Sequence, residues 1–430
     1  MSIKKTINEK LHSKKIKKPP YLIYNILGRI WQILFTKKYG LHVEYITDFR
    51  KEKGPYIVIS NHASRLDYIF TGIPLLPNNL NYVAGYNEFF RAHLKMIFGI
   101  LNVIPKKNFT ADIYTIKAVK RVLDKKGKIM IFPEGMSSIS GANQPIAIGT
   151  GKFIKHFNVP VYYAVIKGGY LTSPKYNLTE RKGRVEVIFD KLFTPSQIEK
   201  LTADEIEDII NKAIYHDDYA WNKKHKHIYK NNGKIAEDLE NLLYYCPKCS
   251  KEFTMETDGN RIYCSACGNG ATIDDTYEMH PLDDTCIIPE TQTVWFNIQR
   301  ERVREEILKD NFEIIEEVEI GVLPDYEPLK ELKTSNIVGQ GTIKFNKTGL
   351  TYIGTRNNKE WTFHIDTKDL PTYGMCTDLS RFYTFYQGEF VEFFPKNKTV
   401  EKWFLVTEEM HRLNGGRWKS FSFSKSKKEG

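Results

Sequence analysis

The sequence predicts an α/β domain, a mixed sheet flanked by helices, followed by a small four-cysteine ribbon and a β-rich C-terminal domain. Three observations carry that prediction. Between Gly54 and about residue 190, short apolar runs alternate with stretches of helical periodicity, an order that puts helices on the faces of a sheet. Two Cys-x2-Cys pairs follow, with fourteen residues between them. Beyond residue 338, runs rich in Phe, Tyr, Trp and Thr succeed one another, separated by Asn- and Gly-containing turns. The implied units are residues 1–53, 54–240, 241–280 and 281–430.

The 430 residues can fill two or three domains. The net charge of +11 is uneven, since residues 1–53 hold thirteen Lys or Arg against four Asp or Glu. A basic leading segment suits an anionic surface, membrane phospholipid or nucleic acid, or is simply solvated. No run of eighteen apolar residues exists, so no ordinary membrane-spanning helix is expected. A secretory signal is not expected either, because the first apolar stretch starts only at Tyr21 and lacks a small-residue cleavage site. Six cysteines, four of them in the two pairs, point to a reducing compartment and a metal rather than disulfides. The expected location is cytoplasmic. The richness in Lys, Ile, Asn and Tyr is that of an AT-rich bacterial genome.

In chain order, a Lys-rich start and Pro19-Pro20 precede a helix over residues 21–36. Asn25, Arg29, Gln32 and Thr36 fall at i, i+4, i+7 and i+11, one narrow polar stripe on an otherwise apolar and aromatic helix. Such a helix either lies in a bilayer interface, with Tyr21, Tyr24 and Trp31 at headgroup level, or packs on the protein's own core. Strands are expected at 56–60, 81–85, 128–132, 159–166 and 184–190, and helices at 65–75, 87–98, 111–125 and 147–157. Residues 191–240 read as helical and charged. Thr202, with Glu205 three residues on, marks one helix start.

The strand at 56–60 runs into Asn61-His62, and Asp67 follows five residues after His62. A strand-to-helix corner puts side chains at the C-terminal edge of a sheet, where open α/β folds place ligands. A neutral imidazole there can take a proton from a hydroxyl, and a nearby carboxylate can fix its tautomer. With no nucleophilic serine assigned, the pair suits direct attack by a substrate hydroxyl. The bland alternative is a capping Asn and an incidental histidine. The strand at 128–132 ends similarly, in Pro133-Glu134-Gly135-Met136-Ser137-Ser138.

Asn61-His62-x4-Asp67, followed some seventy residues later by Phe132-Pro133-Glu134-Gly135, resembles the glycerolipid acyltransferase family, whose best-known members are 1-acyl-glycerol-3-phosphate acyltransferases. The resemblance covers about residues 54–215. It implies transfer of a fatty acyl group from acyl-CoA or acyl carrier protein to a hydroxyl of a lysolipid such as 1-acyl-glycerol-3-phosphate. His62 would be the general base, with Asp67 behind it. Glu134, Gly135 and Ser138 would bind the acceptor, and no catalytic metal would be needed. Family members also commonly carry N-terminal membrane-binding helices, which implies peripheral attachment to an anionic membrane surface. A basic residue, usually arginine, helps hold the acceptor phosphate between the two motifs. Lys106 or Lys107 could do so as point charges, or could be surface lysines. One departure concerns the second motif, where Ser137 occupies the place of another arginine that the family usually carries.

Cys246, Cys249, Cys264 and Cys267 have the spacing of two knuckles on a β-hairpin, which closes a tetrahedral four-thiolate site. A structural zinc ion is expected, with a redox pair as the alternative. A charged helix near 297–309 leads into the β-rich unit, whose expected strands include 341–345, 350–354, 361–365, 382–386, 390–394 and 402–406. A short helix over 407–413 would close it, similar in pattern to a PH-like domain. Residues 415–430 read as a basic, disordered tail. The competing functional reading is a catalytically inactive ribbon and PH-like adaptor that senses lipid or binds a partner, with nucleic acid an unlikely ligand.

Overall fold

The computed structural model describes residues 4–110, 112–330, 333–376 and 378–416; the expected tail lies outside them from residue 417 onward. The first sheet has seven strands: β1 (His42–Tyr45), β2 (Tyr56–Ser60), β3 (Asn81–Gly85), β4 (Ile104–Lys106), β5 (Lys128–Ile131), β6 (Val161–Lys167) and β7 (Glu186–Phe193). Their order is β1-β7-β6-β2-β5-β3-β4. All pairs are parallel except β6 with β7, so the sheet is mixed.

Strand β2 lies at the centre and is buried along its whole length. Its apolar run has no polar alternation because both faces are covered. Ile57 and Ile59 share one face with Ile129 and Ile131, under Val119 and Val122 of the helix Ile113–Leu123 and Ile206 and Ile210 of the helix Ala203–Ala213. Val58 and Met130 face the other way, toward Phe70 of the helix Asp67–Gly72. The sheet starts earlier than the expected boundary at residue 54, because β1 pairs with β7. The expected helix over 87–98 is two elements, a 3-10 turn at Tyr86–Phe90 and an α-helix at Ala92–Ile100. Thr202 and Glu205 form the reciprocal capping pair their spacing predicts.

The helix Tyr21–Lys38 presents apolar groups on two sides. Tyr24, Gly28, Trp31 and Phe35 recur at helical spacing on the inward side, where Tyr24 is buried, Gly28 meets Leu76, and Trp31 packs edge-on against Tyr68. Leu22, Ile23, Ile26, Ile30, Ile33 and Leu34 remain exposed. Of the aromatic residues expected at headgroup level, only Tyr21 is exposed; Tyr24 and Trp31 are taken up by the core. No helix among the described residues is long and apolar enough to cross a membrane.

The ribbon is a four-stranded antiparallel sheet of β8 (Met255–Asp258), β9 (Arg261–Cys264), β10 (Gly270–Ile273) and β11 (Met279–Pro281). The helix Gln292–Ile307 follows. It is a hub: Thr293 Oγ1 donates to the Ser140 carbonyl of the first domain, Trp295 Nε1 donates to the Tyr245 carbonyl beside the ribbon, and Arg300 is enclosed against Glu408 and Glu409.

The last unit is one antiparallel sheet of β12 (Glu313–Val322), β13 (Asn336–Asn346), β14 (Gly349–Arg356), β15 (Lys359–Asp366), β16 (Gly374–Met375), β17 (Phe382–Tyr386) and β18 (Glu389–Pro395). The order β15-β14-β13-β12-β18-β17-β16 brings the first strand against the last. Residues 402–406, expected as a strand, belong instead to a single helix, Val400–Leu413. A short apolar run cannot separate strand from helix by periodicity. Trp403, Phe404, Leu405 and Val406 are all buried because this helix is covered on several sides.

Candidate active site

Parallel neighbours end at the same edge of a sheet, so pairing Ile59 with Ile131 brings the loops after β2 and β5 together. At the end of β2, Asn61 turns its amide onto β6, donating to the Ile166 carbonyl at 2.8 Å and accepting from the Ile166 N–H at 2.7 Å. The side chain thus continues the ladder while the backbone leaves it, and His62 stands at the corner.

Asp67 is fully buried, and its Oδ2 lies 2.8 Å from His62 Nδ1. Ser64 donates to the same carboxylate from its backbone N–H and its hydroxyl, at 2.9–3.0 Å. Burial pushes the Asp67 carboxyl up, against the opposing pull of His62 and Ser64. The imidazole is partly open to solvent and lies against the Phe132 ring, 4.7 Å between centroids. Its Nε2 makes no hydrogen bond among the described residues. With Nδ1 donating to Asp67, Nε2 is the basic nitrogen, and it faces outward.

The second loop grips the backbone of the first. Glu134 Oε1 accepts the His62 N–H at 2.7 Å, and the Ser138 N–H donates to the His62 carbonyl at 2.6 Å. Glu134 also accepts from Asn143 Nδ2 at 2.7 Å and from the Gln144 N–H at 2.9 Å. Burial raises its carboxyl to about 8, although its donors pull the other way. Ser138 Oγ donates to the Ala142 carbonyl, and Gly135, with φ of 81°, receives Asn108 Nδ2 on its carbonyl at 2.7 Å. Glu134, Gly135 and Ser138, expected as acceptor ligands, make these contacts within the protein. Glu134 and Ser138 together brace the His62 backbone.

Lys106 and Lys107 are likewise held by groups of the protein. Lys106 Nζ donates to the carbonyls of Lys107 and Thr110 in its own loop. Lys107 Nζ donates to the Gly388 carbonyl at 2.5 Å and sits over the rings of Tyr86 and Phe385. The carbonyl and aromatic groups that capture Lys107 come from distant parts of the chain. The cation beside the second motif is one that the sequence reading passed over: Lys175, buried, with Nζ 3.3 Å from Ser137 Oγ. Asn143 and His216 were also missed. The His216 N–H donates to Asn143 Oδ1, and its ring lies 2.8 Å from Asp218 along the same cleft.

The four ribbon cysteines converge as their spacing predicts. Cys246 Sγ lies 3.7 Å from Cys267 Sγ, and Cys249 Sγ lies 3.7 Å from Cys264 Sγ. All four sulfurs fall within 4.8 Å of one another. A tetrahedron with zinc–sulfur bonds of about 2.3 Å has edges of about 3.8 Å, so this donor set fits the ion.

A family model described as Acyltransferase matches residues 41–167, a span that starts beside β1 and ends with β6. Over that span the chain is similar to glycerolipid acyltransferases. A 1-acyl-sn-glycerol-3-phosphate acyltransferase of Limnanthes alba is 27% identical over 209 residues, 47% of this chain and 72% of that one. One from Saccharomyces cerevisiae is 26% identical over 198 residues, 44% of this chain and 62% of that one. The crystal structure of the 1-acyl-sn-glycerophosphate (LPA) acyltransferase PlsC from Thermotoga maritima aligns with 45% of this chain and 78% of its own, at 19% identity and a TM-score of 0.36. The matched span contains the His62–Asp67 pair and the Glu134 brace. The ribbon and the second β-sheet lie beyond it.

Proposed function

We propose that the protein transfers a fatty acyl group from an acyl thioester, acyl-CoA or acyl carrier protein, to the free hydroxyl of a lysophospholipid such as 1-acyl-glycerol-3-phosphate. The observation that carries this is the His62 Nδ1 to Asp67 Oδ2 contact of 2.8 Å, with Nε2 left facing the cleft. His62 Nε2 takes the proton of the acceptor hydroxyl as its oxygen attacks the thioester carbonyl carbon. Asp67 holds the tautomer and balances the imidazolium. Collapse of the tetrahedral intermediate breaks the carbon–sulfur bond, and the thiolate leaves with the proton from His62. Glu134 and Ser138 position the ring through its backbone. The curated relatives named above support the acceptor class.

On this reading the four cysteines hold a structural zinc ion, and full thiolate ligation leaves no open position for chemistry. The exposed apolar face of the helix Tyr21–Lys38, flanked by lysines, supports peripheral attachment to anionic membrane. The antiparallel last sheet, with its first strand against its last, and its terminal helix support a PH-like arrangement. The test is to incubate purified protein with acyl-CoA and acyl-carrier-protein donors and a panel of lysophospholipids, reading diacyl product by mass spectrometry. Thioester-dependent diacyl product is expected, and its absence with every donor and acceptor would overturn the proposal.

A further inference from the structure

Lys175 is a cation in an unusual position. It is only 4% exposed, and its one hydrogen bond among the described residues is the long contact to Ser137 Oγ. A buried ammonium is costly unless it is paired. Two of the carboxylates around it are otherwise occupied. Glu88 pairs with Arg91 at 3.4 Å, and Asp378 accepts from Cys376 and Ser380 beside Arg381. Glu401 is fully enclosed with neither oxygen hydrogen-bonded, and burial pushes its carboxyl well up, toward the neutral form. Burial lowers the Lys175 ammonium to about 8, so it is still mostly charged near neutrality.

The location matters as much as the charge. Ser137 is half-buried and so connects Lys175 with the outside. The next residue, Ser138, donates its N–H to the His62 carbonyl. An anion held at Lys175 and Ser137 is therefore anchored one residue from the group that grips the catalytic corner. Charge-assisted hydrogen bonds from an ammonium and a hydroxyl suit phosphate oxygens. We infer that Lys175 and Ser137 form a phosphate-binding site at the seam between the acyltransferase domain and the β-rich domain. This rests on the acyl-transfer reading, in which both substrates can carry phosphate: a phosphomonoester on the acceptor, or the phosphopantetheine arm of the donor.

Two pairs of substrates separate the sources. Lysophosphatidate is compared with monoacylglycerol, and acyl-CoA with a short acyl-cysteamine thioester that lacks phosphate. In Lys175→Met the KM of the phosphate-bearing member of one pair rises about tenfold or more, while its phosphate-free counterpart changes little. Lys175→Arg keeps the charge and most of the affinity. Ser137→Asp sets a carboxylate against the ammonium; it raises the same KM while increasing the melting temperature, which a purely structural lysine would not couple. Unchanged KM values in folded Lys175→Met and Ser137→Asp, with acyl transfer intact, overturn the site. If the wild type transfers no acyl group, the functional proposal fails first. The site is then read from melting with glycerol 3-phosphate: a rise in the wild type that is lost in Lys175→Met supports it, and no rise overturns it.

Discussion

At the scale of single residues, His62 depends on being held from both ends. Its ring is set by Asp67, and its peptide N–H and carbonyl are set by Glu134 and Ser138. Asp67→Asn keeps the shape but can present an amide N–H to Nδ1, which favours the wrong tautomer. It is expected to lower kcat on the order of 10^3-fold with little change in melting temperature, as steady-state kinetics beside calorimetry would show. Glu134 makes a different prediction. Its carboxyl stands at about 8 in the folded protein, against an ordinary 4.5. A raised acid stabilises the fold fully below its unfolded pKa and loses that contribution as pH rises through the folded one. Stability attributable to Glu134 should therefore fall between about pH 4.5 and pH 8. Glu134→Gln should flatten that part of the denaturation profile measured against pH.

The His62–Asp67 pair was legible in the sequence because six residues of one corner contain it, and local spacing suffices. The partner of Ser137 was not, because Lys175 reaches it only after the chain has passed through β6. Lys107 was legible as a cation but not as a captured one, since Gly388 and Phe385 arrive from the last sheet, whereas Lys106 is held within its own loop.

At the scale of elements, the helix Gln292–Ile307 shows why charge pattern alone misplaces a helix. Its sequence reads as a charged helix, yet Arg300 is 2% exposed and pairs with Glu408 at 2.8 Å and Glu409 at 3.0 Å. Removing one member of a buried pair leaves the other uncompensated. Arg300→Met is expected to cost about 3–5 kcal/mol in chemical denaturation. The helix Tyr21–Lys38 makes the opposite test. Ile26, Ile30 and Ile33 are exposed, so replacing all three with Asp should leave the melting temperature nearly unchanged. The same change should weaken sedimentation with anionic phospholipid vesicles by at least about tenfold, since each buried Ile is worth about 1.5–3 kcal/mol. The strand-like reading of 402–406 failed for a related reason: four consecutive buried apolar residues carry no period, and only tertiary cover distinguishes the states.

At the scale of the whole molecule, the units share contacts rather than standing apart. Cys246, Met255 and Ile262 of the ribbon segment belong to the same buried cluster as Val58 and Phe70 of the catalytic domain. Chelation should therefore lower the melting temperature of the whole chain, whereas a simple dithiol pair would be indifferent to chelator and respond to reductant. The last sheet reaches the catalytic edge through Tyr383, whose hydroxyl lies 3.3 Å from Asn108, the residue that also holds Gly135. The alternation of strands and helices and the cysteine spacing announced the units; their mutual packing depends on contacts between distant residues that no local pattern carries.

The measurement that tests the central claim most directly is acyl transfer by purified protein beside its His62→Ala form, with melting temperature recorded for both. The account predicts diacyl product from the wild type, a loss of at least about 10^3-fold on substitution, and matching melting temperatures. Full turnover by a folded His62→Ala protein would contradict it.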